Sequence, residues 1–289
     1  MTSVQVAETV KELQLFLEKA RISNLTIGFV PTMGFLHEGH ASLINTSTKQ
    51  RDVTVVSIYV NPLQFDPDED FDKYPKDISS DLDLCNEHGV DIVFMPSEEE
   101  MKPFLSEESL KLRGIVKIFE GESRPVHFQG VATVVKALFE IVGSSYAFFG
   151  EKDFQQLVLV KQLVDDYLLP VQVIGCPIIR ENDGLAKSSR NVYLDSDERE
   201  QSAVIYQSLK AGAEAISKGE TSIKNIEQLI KKTVETSPLA NIDYVAVVDP
   251  LTFEIPNSIK NEVRLLVACN FGQARLIDNI LAQREVVSS

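Results

Sequence analysis

The stretch LTIGFVPTMGFLHEGH, residues 25–40, combines a strand pattern, a turn and a helix start within sixteen residues. Leu25–Val30 is a short apolar run typical of a buried strand. Pro31 is expected to end that strand, and Gly34 permits a tight turn. A helix is expected to begin near Glu38 or Gly39. A strand that passes directly into a helix through a glycine-containing turn predicts an α/β fold.

The same alternation continues along the following sequence. Four further apolar runs predict strands, at Val53–Val60, Val90–Met95, Tyr146–Phe149 and Val171–Ile179. Helical patterns lie between the runs, at Gly39–Thr48, Ile78–His88, Val131–Ile141 and Phe154–Tyr167. Nearly continuous apolar strands are typical of parallel sheets covered on both faces. The pattern therefore predicts a Rossmann-like, doubly wound parallel sheet whose ligands bind at the carboxyl ends of the strands.

The pattern of alternating strands and helices ends near residue 178. A polar loop, ENDGLAKSSRN, follows at residues 181–191. Helices are expected at Asp197–Ser217 and Ser222–Thr236, followed by strands at Ile242–Asp249 and Val263–Asn270. These elements predict a smaller α+β domain. We expect residues 1–178 to form the Rossmann-like domain and residues 179–289 to form the C-terminal domain.

The composition excludes several classes of protein. The chain has 289 residues, is 44% hydrophobic and has a formal net charge of −15. Such a chain is too apolar to be disordered, and its negative charge argues against nucleic acid as a partner. The apolar runs are too short to span a bilayer, and the N-terminal pattern does not resemble a signal peptide. Three separated cysteines in apolar surroundings are expected to be buried thiols, which favours a cytoplasmic protein.

His37 and His40 are three residues apart, which places both rings on one face of the first helical turn. Three interpretations are open. The pair could hold a metal, although the sequence offers no further cysteine or histidine nearby. It could cap and pack the helix start. It could also donate hydrogen bonds to phosphate oxygens at a helix N-terminus, where free amide groups attract anions.

Asn61 and Gln64 follow a strong strand in the segment VNPLQF. Their amides are expected at the carboxyl edge of the sheet, where they can bind a hydroxyl or a carboxylate without burying a charge. The alternative is a polar turn, since Asn-Pro commonly starts one. Farther along the chain, Asp81 could help to hold a metal, or it could be a surface carboxylate on a helix.

A third polar segment, FGEKDFQQ at Phe149–Gln156, again joins a strand end to a helix. Lys152 is placed to meet a phosphate as a point charge. Gln155 and Gln156 lie in the first helical turn and cannot both face one pocket. An exposed helix start would explain the charged residues equally simply.

The fourth segment, GLAKSSRN at Gly184–Asn191, is rich in cations and hydroxyls. Such a segment can clamp a triphosphate during transfer. By itself it would be an ordinary linker, but its position after the last strand of the sheet favours a mobile lid.

Taken together, PTMGFLHEGH, VNPLQF, SRPVHFQGVATVV, FFGEKDFQQ and DGLAKSSRNVYL resemble the pantothenate synthetases, in order and at suitable spacing. The first of these segments also resembles the HIGH-type signature of adenylyl-transferring enzymes. The resemblance covers about residues 25–195, with a weaker echo in ARLIDNI at Ala274–Ile280.

The resemblance implies a pantoate–β-alanine ligase that forms AMP, with ATP as substrate and Mg²⁺ as cofactor. ATP and (R)-pantoate would give pantoyl adenylate and pyrophosphate, and β-alanine would then displace AMP. It also implies a homodimer, an N-terminal domain that binds ATP and pantoate, and a C-terminal lid.

Matched motif by motif, the resemblance also implies the site residues. Catalytic roles fall to His40, His37 and Lys152, with His40 as the proton donor. Gln64, Gln156 and Asn61 would contact pantoate, and Gln64 would also face β-alanine. The ATP contacts would be Met33, Gly34, Phe35, Leu36, His37, Glu38, Gly39, His40, Gly150, Glu151, Lys152, Asp153, Ile179, Lys187, Ser188, Ser189 and Arg190.

One position departs from the family pattern, because Val126 stands where the family usually has glycine. If that position requires positive φ, valine would strain the turn that carries Arg124 and His127. Three other functions remain open: a related nucleotidyl transferase with a different acceptor, a class I aminoacyl-tRNA synthetase and a non-catalytic ATP-sensing module. The short acidic chain argues against the synthetase, and the two histidines with a cationic loop argue against the sensing module.

Overall fold

The computed structural model describes residues 4–65, 71, 74–105 and 109–285. The chain divides into two units. The first unit comprises Met1–Glu151 and Gln155–Pro177, and the second comprises Lys152–Phe154 and Ile178–Ser289. The short segment Lys152–Phe154 therefore belongs to the second unit although its sequence neighbours belong to the first.

The first unit is built on a parallel sheet. Among the described residues the sheet has six strands, in the order β1-β4-β3-β2-β5-β6, and each neighbouring pair is parallel. The strands are β1 (Gln5–Ala7), β2 (Ile27–Thr32), β3 (Val53–Ile58), β4 (Ile92–Phe94), β5 (Ser145–Gly150) and β6 (Val171–Cys176).

Helices connect successive strands, as parallel strands require. They are α1 (Val10–Ile22), α2 (Glu38–Gln50), α3 (Ile78–Glu87), α4 (Glu98–Met101), α5 (Glu120–Ser123), α6 (His127–Val142) and α7 (Phe154–Asp166). The strand order reverses direction between β2 and β5. The predicted Rossmann-like, doubly wound sheet is therefore confirmed.

The expectation that Pro31 ends its strand is wrong, because β2 continues to Thr32 and Pro31 pairs with Ser57. The peptide oxygen of Thr32 accepts from Tyr59 on the β3 side, so the preceding residue faces the β5 side. The pairing of β2 with β5 covers only Gly28 and Phe29. Proline is tolerated at Pro31 because its missing N–H faces a position where that ladder has ended.

The second unit contains an antiparallel sheet and helices. Within the described part of this unit, the sheet consists of β7 (Asn241–Val248), β8 (Glu262–Phe271) and β9 (Ala274–Gln283) in sequence order. The helices are α8 (Ser196–Gln201), α9 (Val204–Ser217) and α10 (Ile223–Val234). Leu209, Ile230 and Val267 lie in one fully buried cluster that joins α9, α10 and β8. The unit has the predicted α+β character.

Several elements differ from the sequence-based expectation. The helix expected over Asp197–Ser217 is two helices, α8 and α9. Strand β9 was not expected, because the polar pair at Asp278 and Asn279 interrupts its apolar pattern. Strand β1 precedes α1, and α1 starts at a capping box formed by Thr9 and Glu12.

The three cysteines are buried free thiols, as expected. Cys85 and Cys176 belong to an apolar cluster of the first unit, and Cys269 belongs to the core of the second. Burial raises the pKa of Cys85 to about 12 and that of Cys269 to about 11. Burial also raises the pKa of the Cys176 thiol.

We predict that the native protein reacts slowly with a thiol reagent such as DTNB at pH 8. The reacting form is the thiolate, which these buried sites disfavour. After unfolding in guanidinium chloride, three thiols per chain should react at once, in line with the sequence. A thiol that titrates rapidly in the native protein would contradict this burial.

Candidate functional site

The end of β2 lies at the point where the order of the parallel strands reverses. Strand β2 has β3 on one side and β5 on the other, and these neighbours connect onward in opposite directions. In open α/β sheets such a reversal opens a crevice at the carboxyl ends of the strands. The three strand ends lead into Met33, Asn61 and Glu151, so three of the four predicted segments begin at this edge.

The turn after β2 is held by a carboxylate from another helix. Asp81, on α3, accepts the amide of Phe35 at 2.9 Å and the amide of Leu36 at 2.6 Å. Gly34 has φ +83, and a Cβ there would lie 2.9 Å from Asp81 Oδ2. The turn therefore requires both a glycine at this position and the carboxylate.

Asp81 is only 2% exposed, so the expectation of a surface carboxylate is wrong. Burial raises its pKa, while the amide hydrogen bonds from Leu36 and Phe35 oppose that shift. Among the described residues no group of three or more His, Cys, Asp or Glu side chains could hold a metal ion. The structure gives Asp81 a positioning role in the turn, and its metal role stays a prediction.

His37 and His40 cap α2 reciprocally. His37 is the N-cap, and its Nδ1 accepts the Gly39 amide at 3.1 Å. His40 Nδ1 accepts the His37 amide at 3.3 Å, and the two ring centroids are 4.2 Å apart. A Cβ on Gly39 would lie 2.7 Å from His37 Cε1, so the cap also requires this glycine.

The caps determine which ring nitrogens carry protons. A nitrogen that accepts a hydrogen bond has no proton, so both neutral rings carry their proton on Nε2. The capping interpretation is therefore confirmed, and it is compatible with donation to a phosphate. The amide of Gly39 is already bonded to His37, so the helix start offers imidazole donors in addition to its remaining amides.

Asn61 is 2% exposed and orients Gln64. Its Nδ2 donates to Gln64 Oε1 at 3.0 Å and to the Gly130 carbonyl at 3.1 Å. Its Oδ1 accepts the Leu63 amide at 3.0 Å. These bonds occupy both ends of the Asn61 amide, which makes Asn61 a positioning residue in this state.

The orientation of Gln64 brings two predicted segments together. Gln64 Nε2 lies 2.9 Å from Met33 Sδ, in the turn after β2. A thioether is a weak acceptor, so the Gln64 N–H can leave the Met33 sulfur and donate to a carboxylate or hydroxyl oxygen instead. Gly130 was missed in the sequence, although a Cβ there would lie 2.0 Å from the Leu63 carbonyl. The close approach of α6 to this segment is the reason for glycine.

The departure at Val126 causes no strain. Val126 has φ −91 and ψ −17, which any residue adopts. His127 Nδ1 lies 3.2 Å from the Gln64 carbonyl, which can only accept. Arg124 donates to the same carbonyl at 3.5 Å. The segment before α6 therefore supports Gln64 without a glycine.

The two glutamines after β5 have different surroundings. Gln155 is 4% exposed, and its amide bonds to the carbonyls of Ile115 and Ile118 and to the amide of Glu120. Gln155 is therefore structural, while Gln156 is half-buried and remains the substrate candidate. Gly150 ends β5 within the first unit.

The remaining predicted cations lie in the second unit. Lys152 and Asp153 lie in a 3₁₀ turn, and Lys152 Nζ is 3.7 Å from Asp153 Oδ1. Lys187 bonds through its amide to the Ile179 carbonyl at 2.9 Å and through Nζ to Glu181 at 3.2 Å. Ser188 Oγ accepts the Arg190 amide at 3.3 Å.

The segment expected to be a loop has more order than the sequence indicated. Arg180 and Ala186 form an antiparallel bridge, and Ser189–Tyr193 is a 3₁₀ helix. Its mobility stays a prediction. In the part of the chain that the structure describes, no helix has the length and apolar character needed to cross a membrane.

Comparison with known proteins identifies relatives over nearly the full chain. Residues 5–281 match the family model described as Pantoate-beta-alanine ligase. A pantothenate synthetase of Acetivibrio thermocellus is 46% identical over 280 residues, which is 97% of this chain and 100% of the relative. One from Clostridium botulinum (strain ATCC 19397 / Type A) is 44% identical over 276 residues, 96% of this chain and 98% of the relative.

Solved structures show the same fold. Pantothenate synthetase from Thermus thermophilus superposes with a TM-score of 0.90 at 41% identity, covering 96% of this chain and 99% of that one. A pantoate-beta-alanine ligase from Francisella tularensis, complexed with Beta-gamma ATP and β-alanine, has a TM-score of 0.79 at 34% identity. It covers 96% of this chain and 97% of that one.

We predict that Asp81→Asn destabilises the protein by about 1–3 kcal/mol, because an amide nitrogen would face a backbone N–H and leave it without an acceptor. Asp83→Asn is the matched control, since Asp83 lies on the same helix and is exposed. Its effect should stay within about 0.5 kcal/mol. Equilibrium urea unfolding measures both. Equal stabilities would remove the positioning role of Asp81.

Proposed function

The chain belongs to the pantoate–β-alanine ligase family, and we propose that it joins (R)-pantoate to β-alanine through pantoyl adenylate. ATP supplies the adenylyl group, pyrophosphate leaves in the first step, and AMP leaves in the second. The observation that carries this proposal is the pair of reciprocally capping histidines at the strand reversal, 4.2 Å apart, with both rings protonated on Nε2.

The first step requires alignment more than it requires a base. A carboxylate is already ionised at neutral pH, so pantoate can attack the α-phosphorus directly. The barrier then depends on holding the two reactants in line and on stabilising charge on the phosphate oxygens. We infer that His37 and His40 donate to these oxygens, and that Lys152, Lys187 and Arg190 supply positive charge on an otherwise acidic protein.

Gln64 and Gln156 are the proposed contacts for pantoate. The Asn61 bond holds the Gln64 oxygen, so that the NH₂ group of Gln64 lies next to the Met33 sulfur. In this orientation it can donate to a carboxylate or a hydroxyl, which are the groups that pantoate carries. An uncharged amide selects these groups without the cost of burying a charge. Acceptors that carry phosphate would favour basic residues at this place.

The second step requires a neutral amine and protection of the acyl adenylate from water. Gln64 is also proposed to face β-alanine. We infer that the segment from Lys187 to Arg190, together with Ile179, contributes to ATP binding and closes during the reaction. Exclusion of water by such closure would favour attack by the amine over hydrolysis.

The remaining expectations are part of the same proposal. The protein is expected to be a cytoplasmic homodimer. Mg²⁺ is expected to accompany the phosphates of ATP, which commonly supply most of its ligands. Because the described residues offer no three-ligand cluster, no step above depends on a protein-bound ion. The second candidate function, a nucleotidyl transferase with another acceptor, shares the adenylyl chemistry and differs only in the acceptor.

We predict that pantoate triggers exchange between ATP and labelled pyrophosphate, and that amino acids or phosphorylated acceptors do not. The amide pair at Gln64 and Gln156 is the physical reason. The measurement is incorporation of label into ATP with each acceptor in turn. Exchange that ignores pantoate but responds to a phosphorylated acceptor would establish the second candidate instead.

We predict that His40→Ala slows adenylation by about 10²–10³-fold, as expected for loss of a donor to developing charge, while ATP binding weakens little. Loss of the cap should also reduce stability by about 1 kcal/mol. Pyrophosphate exchange and equilibrium ATP binding are the measurements. His88→Ala is the control, because His88 bonds to Asn45 away from the strand reversal. Adenylation near the wild-type rate in His40→Ala would leave the pair with a capping role alone.

A further inference from the structure

Two adjacent polar residues are buried in the middle of β9, where a strand core favours apolar side chains. Asp278 is 4% exposed and Asn279 is 2% exposed. They pair in register with Val267 and Leu266 of β8. A buried carboxylate is costly unless it is paired and hydrogen-bonded. The partners of these two side chains therefore explain why the strand carries them.

Asp278 binds Arg180 through both oxygens. Arg180 Nη1 donates to Asp278 Oδ2 at 2.6 Å, and Nη2 donates to Oδ1 at 2.9 Å. The same guanidinium donates to the carbonyls of Gly184, at 2.9 Å, and Asn279, at 3.2 Å. It also lies over the Tyr206 ring, with Cζ 3.9 Å from the centroid. Arg180 is thus held in one orientation by bidentate pairing and stacking.

This orientation reaches the cationic segment through a few residues. Residues 180–187 form a short hairpin, closed by the bridge of Arg180 with Ala186 and by the bond from the Lys187 amide to Ile179. The 3₁₀ helix Ser189–Tyr193 follows directly and packs against β9. A displacement of Arg180 would therefore displace the backbone of Lys187 and the residues after it.

Asn279 holds the other cationic segment. Its Nδ2 donates to the Lys152 carbonyl at 2.9 Å. Its Oδ1 accepts from Arg264 Nη1 at 3.0 Å, which determines the direction of the amide. Arg264 in turn lies 4.1 Å from the centroid of the Phe154 ring. The backbone of Lys152 is thus attached to β9, although 127 residues separate Lys152 from Asn279 in sequence.

The attachments of Arg180 and of Lys152 are linked on β9, because the backbone N–H of Asn279 donates to Asp278 Oδ1 at 2.7 Å. We propose that Asp278 and Asn279 are positioning residues that hold Lys152 and the Lys187–Arg190 segment in one geometry for binding the phosphates of ATP. This inference rests on the proposed function. The proposal gives neither residue a direct contact with a reactant. Each acts through a backbone that carries a cation.

A purely structural role is the competing explanation, and a buried ion pair by itself is weak evidence for either. The two explanations differ in the reaction step that they affect. Pyrophosphate leaves only in the first half-reaction, so misplaced phosphate contacts should slow that step selectively. Loss of folded protein would reduce both half-reactions equally.

The test compares Asp278→Asn with Asp243→Asn. Asp243 forms an ion pair with Arg275 in the same sheet, with a shortest distance of 2.7 Å, so the control removes the same charge from a more exposed pair. The measurements are kcat and KM for ATP in pantoate-dependent exchange, and the rate at which β-alanine consumes pre-formed pantoyl adenylate. Thermal unfolding reports the folded fraction.

We expect Asp278→Asn to reduce kcat/KM for ATP in exchange by about 10–100-fold, by analogy with residues that orient metal ligands through hydrogen bonds. Consumption of pantoyl adenylate should change less than about 3-fold, and Asp243→Asn should change neither rate. An equal fall in both half-reactions, or equal behaviour of the two variants, would overturn the proposal. Asn279→Ala removes no charge and should give the same selective loss if Asp278→Asn does not fold.

Hydrogen exchange separates failure of this inference from failure of the proposed function. In Asp278→Asn the amides of Glu181, Gly184 and Lys187, which bond within the hairpin, should exchange faster than in the wild type. The amides of α10 should not change. This result does not depend on any substrate. If the wild-type protein shows no pantoate-dependent exchange between ATP and pyrophosphate, the proposed function is refuted. If the hydrogen-exchange rates of these amides are the same in Asp278→Asn as in the wild type, the positioning role is refuted.

Discussion

Every strand of the larger sheet runs in the same direction, and the organisation of the first unit depends on this constraint. Parallel neighbours cannot be joined by tight turns, so each connection crosses the sheet as a helix or a long segment. The carboxyl ends of all these strands then lie at the same edge of the sheet. Because the order reverses between β2 and β5, the connections diverge there and leave a crevice. Three of the polar segments begin at this edge as a consequence of strand direction.

At that edge, hydrogen bonds to side chains of the protein itself stabilise the backbone. Asp81 accepts two amides of the turn, and the two histidines accept two more at the start of α2. These bonds satisfy donors that a phosphate would otherwise attract. The histidines accept through Nδ1 and keep Nε2 as the ring donor that we propose for the phosphates. The same side chains therefore stabilise the helix start and form its proposed anion site.

In the second unit, a strand of the sheet holds the backbone of the cationic segments, as side chains at a helix start hold the turn in the first unit. The cations of the second unit lie on short 3₁₀ helices and next to a short hairpin, which by themselves would sample many conformations. Buried polar groups on β9 restrict that freedom, because an unpaired Asp278 or Asn279 would be costly. In both units a buried amide or carboxylate holds the backbone, and a neighbouring residue carries the proposed chemistry.

The sequence by itself determined the alternation of strands and helices, the spacing that places His37 and His40 on the first helical turn, and the polar segments at strand ends. These features are local: period, turn chemistry and short spacing encode them within a few residues. The tertiary structure alone decided the continuation of β2 through Pro31, the burial of Asp81 and the existence of β9. Each depends on contacts distant in the chain, 46 residues for Asp81 with Phe35 and 98 for Arg180 with Asp278. A polar residue in a strand pattern predicts a loop until its buried partner is known, and only the folded chain supplies that partner.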